Sequence, residues 1–219
     1  LESNLDLLVS TDRTLPPRHA SLRAIFERTW RMLSEREQEA LSACAVFSSG
    51  FTRGAASDVT GIDLSTLTAL LERSLIRRQG ERYDFHPVVL QYAREKLASR
   101  DDESAVRARH AEHFFALLRG KSRFDWNAGR RSELKELERD IANIRLAWEW
   151  AAANQRTDLL KPVIVFFARY LLTHGYRGVC AQLMELVHTK EGLDPQLCAW
   201  KMIAHARALR WHDPAQSLA

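Results

Sequence analysis

The sequence lacks the features that mark several large classes of protein. Its 219 residues contain only Cys44, Cys180 and Cys198, too few for the disulfide framework of a small secreted domain. No apolar run reaches the ~18 residues that a membrane span needs. The first residues, LESNLDLLVS, contain no basic segment followed by a long apolar one. We therefore expect a cytoplasmic protein with no membrane partner and no signal peptide.

The motifs of common enzymes are also missing. The chain has no GxxxxGK[ST] phosphate-binding loop, no G-x-S-x-G nucleophile elbow, and no acidic pair after a strand that could hold Mg²⁺. His110 and His113 are one helical turn apart, a spacing that can hold a metal, but no third ligand is obvious nearby. We expect no catalysis, metal or cofactor from these residues alone.

Charge of one sign is not concentrated anywhere in the chain. The net charge is +4, and residues 1–100 carry 14 Lys and Arg against 13 Asp and Glu. A domain that reads DNA is expected to present a concentrated basic face to the phosphates. The balance of the first half is therefore weak support for DNA binding, and we expect DNA not to be a partner.

The most informative segment is YDFHPVVLQYAREKL, residues 83–97. It predicts a short strand that runs directly into a helix, with His86 at the junction. Pro87 suits the first helical turn, because its missing N–H would have no partner there. Just upstream, SLIRRQGERYDF predicts two strands joined at Gln79-Gly80.

Helical patterns precede this hairpin. Ser34 and Glu37 form the pattern of a capping box at the start of one helix. A short helical segment follows from Thr52 to Val59, and a clear leucine stripe marks Leu64–Ser74. Three helices, a β-hairpin and a closing helix make a winged-helix domain, which we assign to residues 1–98.

The second half of the chain predicts helices only. Amphipathic patterns cover residues 101–118, 132–153, 158–173, 178–188 and 195–211. Consecutive helices with short links are typical of an α-solenoid, which we assign to residues 102–219. The expected fold is therefore mainly α. In LAWEWA, Trp148 and Trp150 lie about 200° apart around the helix, so one of them should be in the core.

At this point the chain resembles a known family. The order of RHASLRAIFERTWRMLSEREQEALSACAVFSSGFT, LLERSLIRR and YDFHPVVLQYAREKL is similar to the winged-helix segment of signal-transduction ATPases with numerous domains, which include bacterial transcription regulators. RHAEHFFALL and ELERDIANIRLAWEWA resemble the helical region that joins this segment to tetratricopeptide-like repeats. KMIAHARALRWHDPAQSLA resembles a repeat unit cut off part-way. We therefore expect the chain to be part of a longer protein.

The resemblance implies a partner domain upstream that binds ATP or ADP with Mg²⁺. It implies that His86 contacts the bound diphosphate and helps to hold the resting state. In the family this histidine is often followed by an acidic residue, whereas Pro87 follows it here. The helical repeats would receive a protein or a small-molecule inducer.

Other interpretations remain open at this point. His86 could be packed or hydrogen-bonded at a strand end without any ligand. Arg77, Arg78 and Arg82 could form a DNA-binding wing, a solvated hairpin tip, or a contact to the nucleotide-binding domain. The whole chain could instead be a DNA-binding winged-helix transcription factor with a helical dimerisation or effector domain, or a helical scaffold without switching.

Overall fold

A computed structural model describes residues 17–122, 131–187 and 195–209 of the chain. The sequence also predicts a short helix around Leu5–Leu8 and a loop over FDWNAGRRS. The first lies outside the described residues, and so does most of the second. The chain divides into two compact units, Leu1–Arg109 and His110–Ala219. Both are mainly helical, which confirms the predicted fold class.

The first unit combines helices with a small antiparallel sheet. Its elements are α1 (Pro17–Arg31), α2 (Glu35–Cys44), β1 (Phe51–Thr52), α3 (Arg53–Thr60), α4 (Leu64–Glu72), β2 (Ile76–Gln79), β3 (Arg82–Phe85), α5 (Pro87–Ala98) and the first turns of α6 (Glu103–Ser122). The strand order is β1-β3-β2. Four described helices and the strand β1 therefore precede the hairpin. The helical spacing that begins at Ser21 already indicates the first of these helices, although the winged-helix assignment counted three.

The additional strand, β1, is a correction to the sequence analysis. Thr52 was expected to begin a helix, but it pairs with Arg82, and Phe51 pairs with Tyr83. Thr52 still caps α3, because its side chain accepts a hydrogen bond from the Ala55 N–H at 3.1 Å. One residue therefore serves as the end of a strand and the start of a helix.

The boundary between the two units also follows from local contacts. The sequence placed the division between residues 98 and 102, ahead of α6. In the structure, α6 begins within the first unit, where Arg109 Nε donates to the Val59 carbonyl at 2.7 Å. This bond ties the second turn of α6 to the end of α3.

The predicted capping box at the start of α2 is confirmed. The Glu37 N–H donates to Ser34 Oγ at 3.3 Å, and the Ser34 N–H donates to Glu37 Oε2 at 2.8 Å. Arg73 Nε donates to the other oxygen of Glu37 at 2.9 Å. The hydrogen bond from the Ser34 backbone is the main cause that holds the pKa of Glu37 below its usual value. The cap thus also joins the end of α4 to α2.

The core of this unit contains a row of aromatic rings. Phe47 and Phe51 stack with ring centroids 4.7 Å apart, and Phe51 stacks on Tyr83 at 5.9 Å. All three side chains are buried. Because Phe51 is on β1 and Tyr83 is on β3, this row fixes the sheet against the turn that follows α2.

Asp63 offers a pH-dependent test of this architecture. Its carboxylate caps α4 through the Thr66 N–H (2.9 Å) and pairs with Arg36 (2.6 Å). Hydrogen bonding to Thr66 is the largest cause that lowers the pKa of Asp63 to about 2. The pKa of Asp63 is thus lower in the folded state than in the unfolded state, where it is about 3.9. The ionised carboxylate therefore stabilises the fold at pH values above about 3.9, and this stabilisation is lost as pH falls towards 2.

We therefore expect Asp63→Asn, which keeps the cap acceptor, to reduce the loss of stability between pH 4 and pH 2. Urea denaturation at several pH values measures this, and Asp63→Ala, which lacks the acceptor, should be less stable at neutral pH as well. An unchanged acid slope in Asp63→Asn would contradict the assignment.

The second unit consists of helices only, within the described residues. They are the remainder of α6, then α7 (Arg131–Ala153), α8 (Thr157–Leu160), α9 (Ile164–Thr173), α10 (Arg177–Leu186) and α11 (Pro195–Leu209). Helix α7 packs on α8 and α10, and α11 packs on α9 and α10. Helices α7, α9 and α10 thus each pack on helices that follow them in the chain, as expected for a helical repeat fold.

One predicted helix is divided in two. The pattern predicted a single helix over residues 158–173, but α8 ends at Leu160 and α9 begins at Ile164. Pro162 lies between them and explains the break, because it lacks an N–H and disfavours helical conformation in the residue before it. In none of the described ranges does a helix have both the length and the apolar character needed to cross a bilayer.

Candidate functional site

His86 lies between β3 and α5, as the sequence predicted. It is the N-cap residue of α5, with φ −67° and ψ 137°, and Pro87 occupies the first helical turn. The His86 side chain is exposed and makes no capping hydrogen bond to α5. The ring is therefore open to a ligand or domain that approaches from outside the unit.

The first turn of α5, which follows His86 directly, has N–H groups without an acceptor in the helix. The Leu90 N–H donates to the His86 carbonyl at 3.0 Å, which closes the first helical turn. The preceding N–H groups, those of Val88 and Val89, have no acceptor within the helix, and Pro87 has no N–H. Donors and a positive dipole end favour an anion beside the His86 ring.

The hairpin before His86 has two distinct sides. On the inner side, Ile76 pairs with Phe85 and both are buried. On the outer side, Arg77 pairs with Asp84 and Gln79 pairs with Arg82. We call the outer side, with His86 at its end, the outer sheet face; it consists of Thr52, Arg77, Gln79, Arg82, Asp84 and His86.

The three arginines of the hairpin do not form one basic patch. Arg77 Nη2 lies 3.0 Å from Asp84 Oδ2. Arg78 donates to the Gly80 carbonyl at 2.8 Å, and its guanidinium lies 5.9 Å from the centre of the Tyr83 ring, on the inner side. Arg82 Nη2 donates to the Gly50 carbonyl at 3.1 Å.

Each of these guanidinium groups therefore has its own partner. A wing that binds DNA would direct several cations at the phosphate backbone together. The arrangement gives that reading little support, because Arg78 and Arg77 project to opposite sides of the hairpin.

The exposed side of α4, the helix that would enter a DNA groove, is poor in basic residues. Ser65 Oγ donates to Asp63 at 3.0 Å, and Thr68 Oγ1 donates back to the Leu64 carbonyl at 2.8 Å. The sequence pattern places Thr66 on this side as well, but the structure shows that it is buried. Arg73 is held by Glu37, as described above. The helix therefore presents hydroxyl groups that are already engaged.

The histidine pair of α6 and two of the cysteines lie in packed surroundings. His110 is buried with its ring 4.8 Å from that of Phe114, and His113 lies 5.1 Å from the same ring. Within the described residues, no group of three or more potential ligands could hold a metal ion. Burial raises the pKa of the Cys44 thiol to about 12 and that of Cys180 to about 11, so neither is a reactive thiolate at neutral pH.

The structure also contains a polar cleft that sequence reasoning missed. It has a volume of about 270 Å³ and is lined by residues that include Arg36, Arg100, Asp102 and Arg109. Arg100 makes two hydrogen bonds to Asp102, at 2.6 and 2.9 Å, and this contact lowers the pKa of that carboxyl. No local motif predicts the cleft, because its arginines come from three separate segments.

Comparison with known proteins places the chain near bacterial regulators. No family model matches it. Three proteins named as HTH-type transcriptional regulators, one from Mycobacterium bovis and two from strains of Mycobacterium tuberculosis, are 31% identical over 193 residues. These matches cover 80% of the chain and 21% of each relative. The chain thus spans about a fifth of the length of these curated relatives.

A solved structure is also similar. It is a signal transduction ATPase with numerous domains that has a tetratricopeptide repeat sensor, from Pyrococcus horikoshii. The match covers 94% of this chain and 34% of that one, with 20% identity and a TM-score of 0.43. A score of this size does not establish a common fold. The resemblance noted in the sequence is supported in part, at the level of a similarity to bacterial regulators.

Proposed function

We infer that the chain is a non-catalytic regulatory part of a multidomain signalling NTPase. The first unit would be a winged helix that docks on the nucleotide-binding domain of the same protein. The helical unit would bind a protein or a small-molecule inducer. ATP or ADP with Mg²⁺ would be held by the nucleotide-binding domain, since the chain has no phosphate-binding loop of its own.

The exposed imidazole of His86 carries this proposal. It stands at the N-terminus of α5 with no capping bond to the helix, so it is available to a phosphate held by another domain. The imidazole can form a charge-assisted hydrogen bond only while the nucleotide-binding domain holds a phosphate opposite it. Docking of the first unit would then depend on which nucleotide is bound, and a difference in affinity between two states makes a switch.

The second candidate is a DNA-binding winged helix, which the names of the mycobacterial relatives favour. Those names do not say which part of the relatives carries the helix-turn-helix, and the chain matches only a fifth of them. The separately paired arginines of the hairpin and the hydroxyl-rich side of α4 argue for the first proposal.

Replacing His86 with alanine in the full-length protein should accelerate the release of bound ADP by roughly 10–100-fold, the effect of losing one hydrogen bond to a charged group. Dissociation of a fluorescent ADP analogue measures this. His205→Ala, on α11 of the other unit, is the matched control and should leave ADP release unchanged.

Two results would count against the proposal. One is ADP release and signalling that are the same in His86→Ala as in the natural protein. The other is a strong, salt-dependent mobility shift of duplex DNA by this chain at about 50 mM salt, which would instead support the DNA-binding candidate.

A further inference from the structure

A carboxylate lies next to His86 on the outer sheet face. Tyr83 and Phe85 are buried, whereas Asp84 between them is partly exposed. The backbone continues in an extended conformation through His86, and residues two apart in such a chain point to the same side. Asp84 and His86 are therefore neighbours on the surface that a phosphate would have to approach.

This carboxylate is held in one position and neutralised. Asp84 Oδ1 accepts a hydrogen bond from the Phe85 N–H at 2.8 Å, and Oδ2 lies 3.0 Å from Arg77 Nη2. Arg77 is directly opposite Asp84 in the β2–β3 register. The side chains of Arg77 and Asp84 are 53% and 39% exposed, and a pair this exposed contributes little to folding stability. The pair has a larger effect on the electrostatic potential at the surface around His86.

We propose that the Arg77–Asp84 ion pair sets the affinity of the His86 surface for a phosphate-bearing ligand, the diphosphate of a bound nucleotide. This inference depends on the proposed function. A bare carboxylate at position 84 would repel a phosphate at His86, whereas Arg77 cancels that charge. Arg77 is thus a positioning residue that acts through Asp84, and the two residues affect phosphate binding in opposite directions.

Because the two substitutions should change phosphate affinity in opposite directions, the inference can be tested on this chain alone. Inorganic pyrophosphate is titrated in low salt, and binding is followed by the ring resonances of His86 in NMR spectra. Arg77→Ala should weaken binding by roughly 3–10-fold, and Asp84→Asn should strengthen it by a similar factor. The double variant Arg77→Ala/Asp84→Asn should return close to the natural affinity.

A purely structural role predicts a different outcome. Because Arg77→Ala and Asp84→Asn both break the same pair, loss of hairpin structure would shift binding in the same direction in both variants. Arg78→Ala is the matched control: it removes the same charge from the same strand, but its side chain lies on the inner side over Tyr83. Its pyrophosphate affinity should change by less than about twofold.

The inference is overturned if the natural chain shows no pyrophosphate binding at His86, or if the two variants shift in the same direction or not at all. None of these results decides the proposed function, which is tested by ADP release from the full-length His86→Ala protein. If that release is unchanged, the proposed function fails, whatever the pyrophosphate titrations show.

Discussion

Replacing Trp148 with alanine is expected to destabilise the second unit by about 3–5 kcal/mol, the range for removing a large aromatic side chain from a core. Trp148 is fully buried on α7. Its ring lies 5.8 Å from that of Phe115 on α6 and 5.4 Å from that of Phe167 on α9. Its indole N–H donates to the Leu183 carbonyl on α10 at 3.0 Å. One side chain thus joins four helices.

Hydrogen–deuterium exchange with mass spectrometry measures the effect separately in each unit. Peptides from α7, α9 and α10 should lose protection, while peptides from α2–α5 serve as the internal reference. Trp148→Phe should cost less, about 1–3 kcal/mol, because the ring contacts remain but the Leu183 carbonyl loses its donor.

Trp150 provides the matched control two residues away. It is partly exposed, and its described contact is with the Arg156 guanidinium 6.0 Å from the ring. Trp150→Ala should therefore cost about 1 kcal/mol or less. Equal losses of protection in the two alanine variants would contradict the central role of Trp148.

The contrast between Trp148 and Trp150 was accessible from sequence, because it depends only on helical geometry. So were the capping box of Ser34 and Glu37 and the position of His86 before Pro87. In each case a few neighbouring residues specify the conformation: a hydroxyl and a carboxylate satisfy the first N–H groups of a helix, and a proline fits its first turn.

Features that depend on distant pairing were not accessible in this way. The strand Phe51–Thr52 has two residues and exists because β3, some thirty residues later, offers it hydrogen-bonding partners. No periodicity can be read from so short a segment. The same limit applies to the candidate site: the sequence singled out His86 but not Asp84.

The side of the hairpin on which each of its three arginines lies was also not accessible from sequence. The sequence grouped Arg77, Arg78 and Arg82 as one basic cluster. Strand alternation places Arg77 and Arg82 on one side and Arg78 on the other, and a shift of one residue would reverse this. Register is set by the packing of Ile76 and Phe85 in the core, so the functional surface is specified by residues that do not belong to it.

Replacing Gly50 with alanine is expected to destabilise the first unit by about 2–4 kcal/mol, from two separate costs. Gly50 has a backbone φ of +74°, which residues other than glycine adopt only with strain. A Cβ atom at this position would also lie 2.7 Å from the backbone carbonyl oxygen of Tyr83 on β3. That oxygen belongs to the strand in the centre of the sheet and cannot move aside as a flexible side chain could.

The two costs can be separated with a second glycine. Gly80, in the turn between β2 and β3, has a φ of +60°, but a Cβ there would meet nothing within 4 Å. Gly80→Ala should therefore show the conformational cost alone, about 1–2 kcal/mol. Exchange protection of peptides from β3 and α5 measures both variants, and the excess loss in Gly50→Ala reports the clash with Tyr83. If the two variants lost equal protection, the close approach of Gly50 to β3 would be wrong, and with it the placement of the strand that leads to His86.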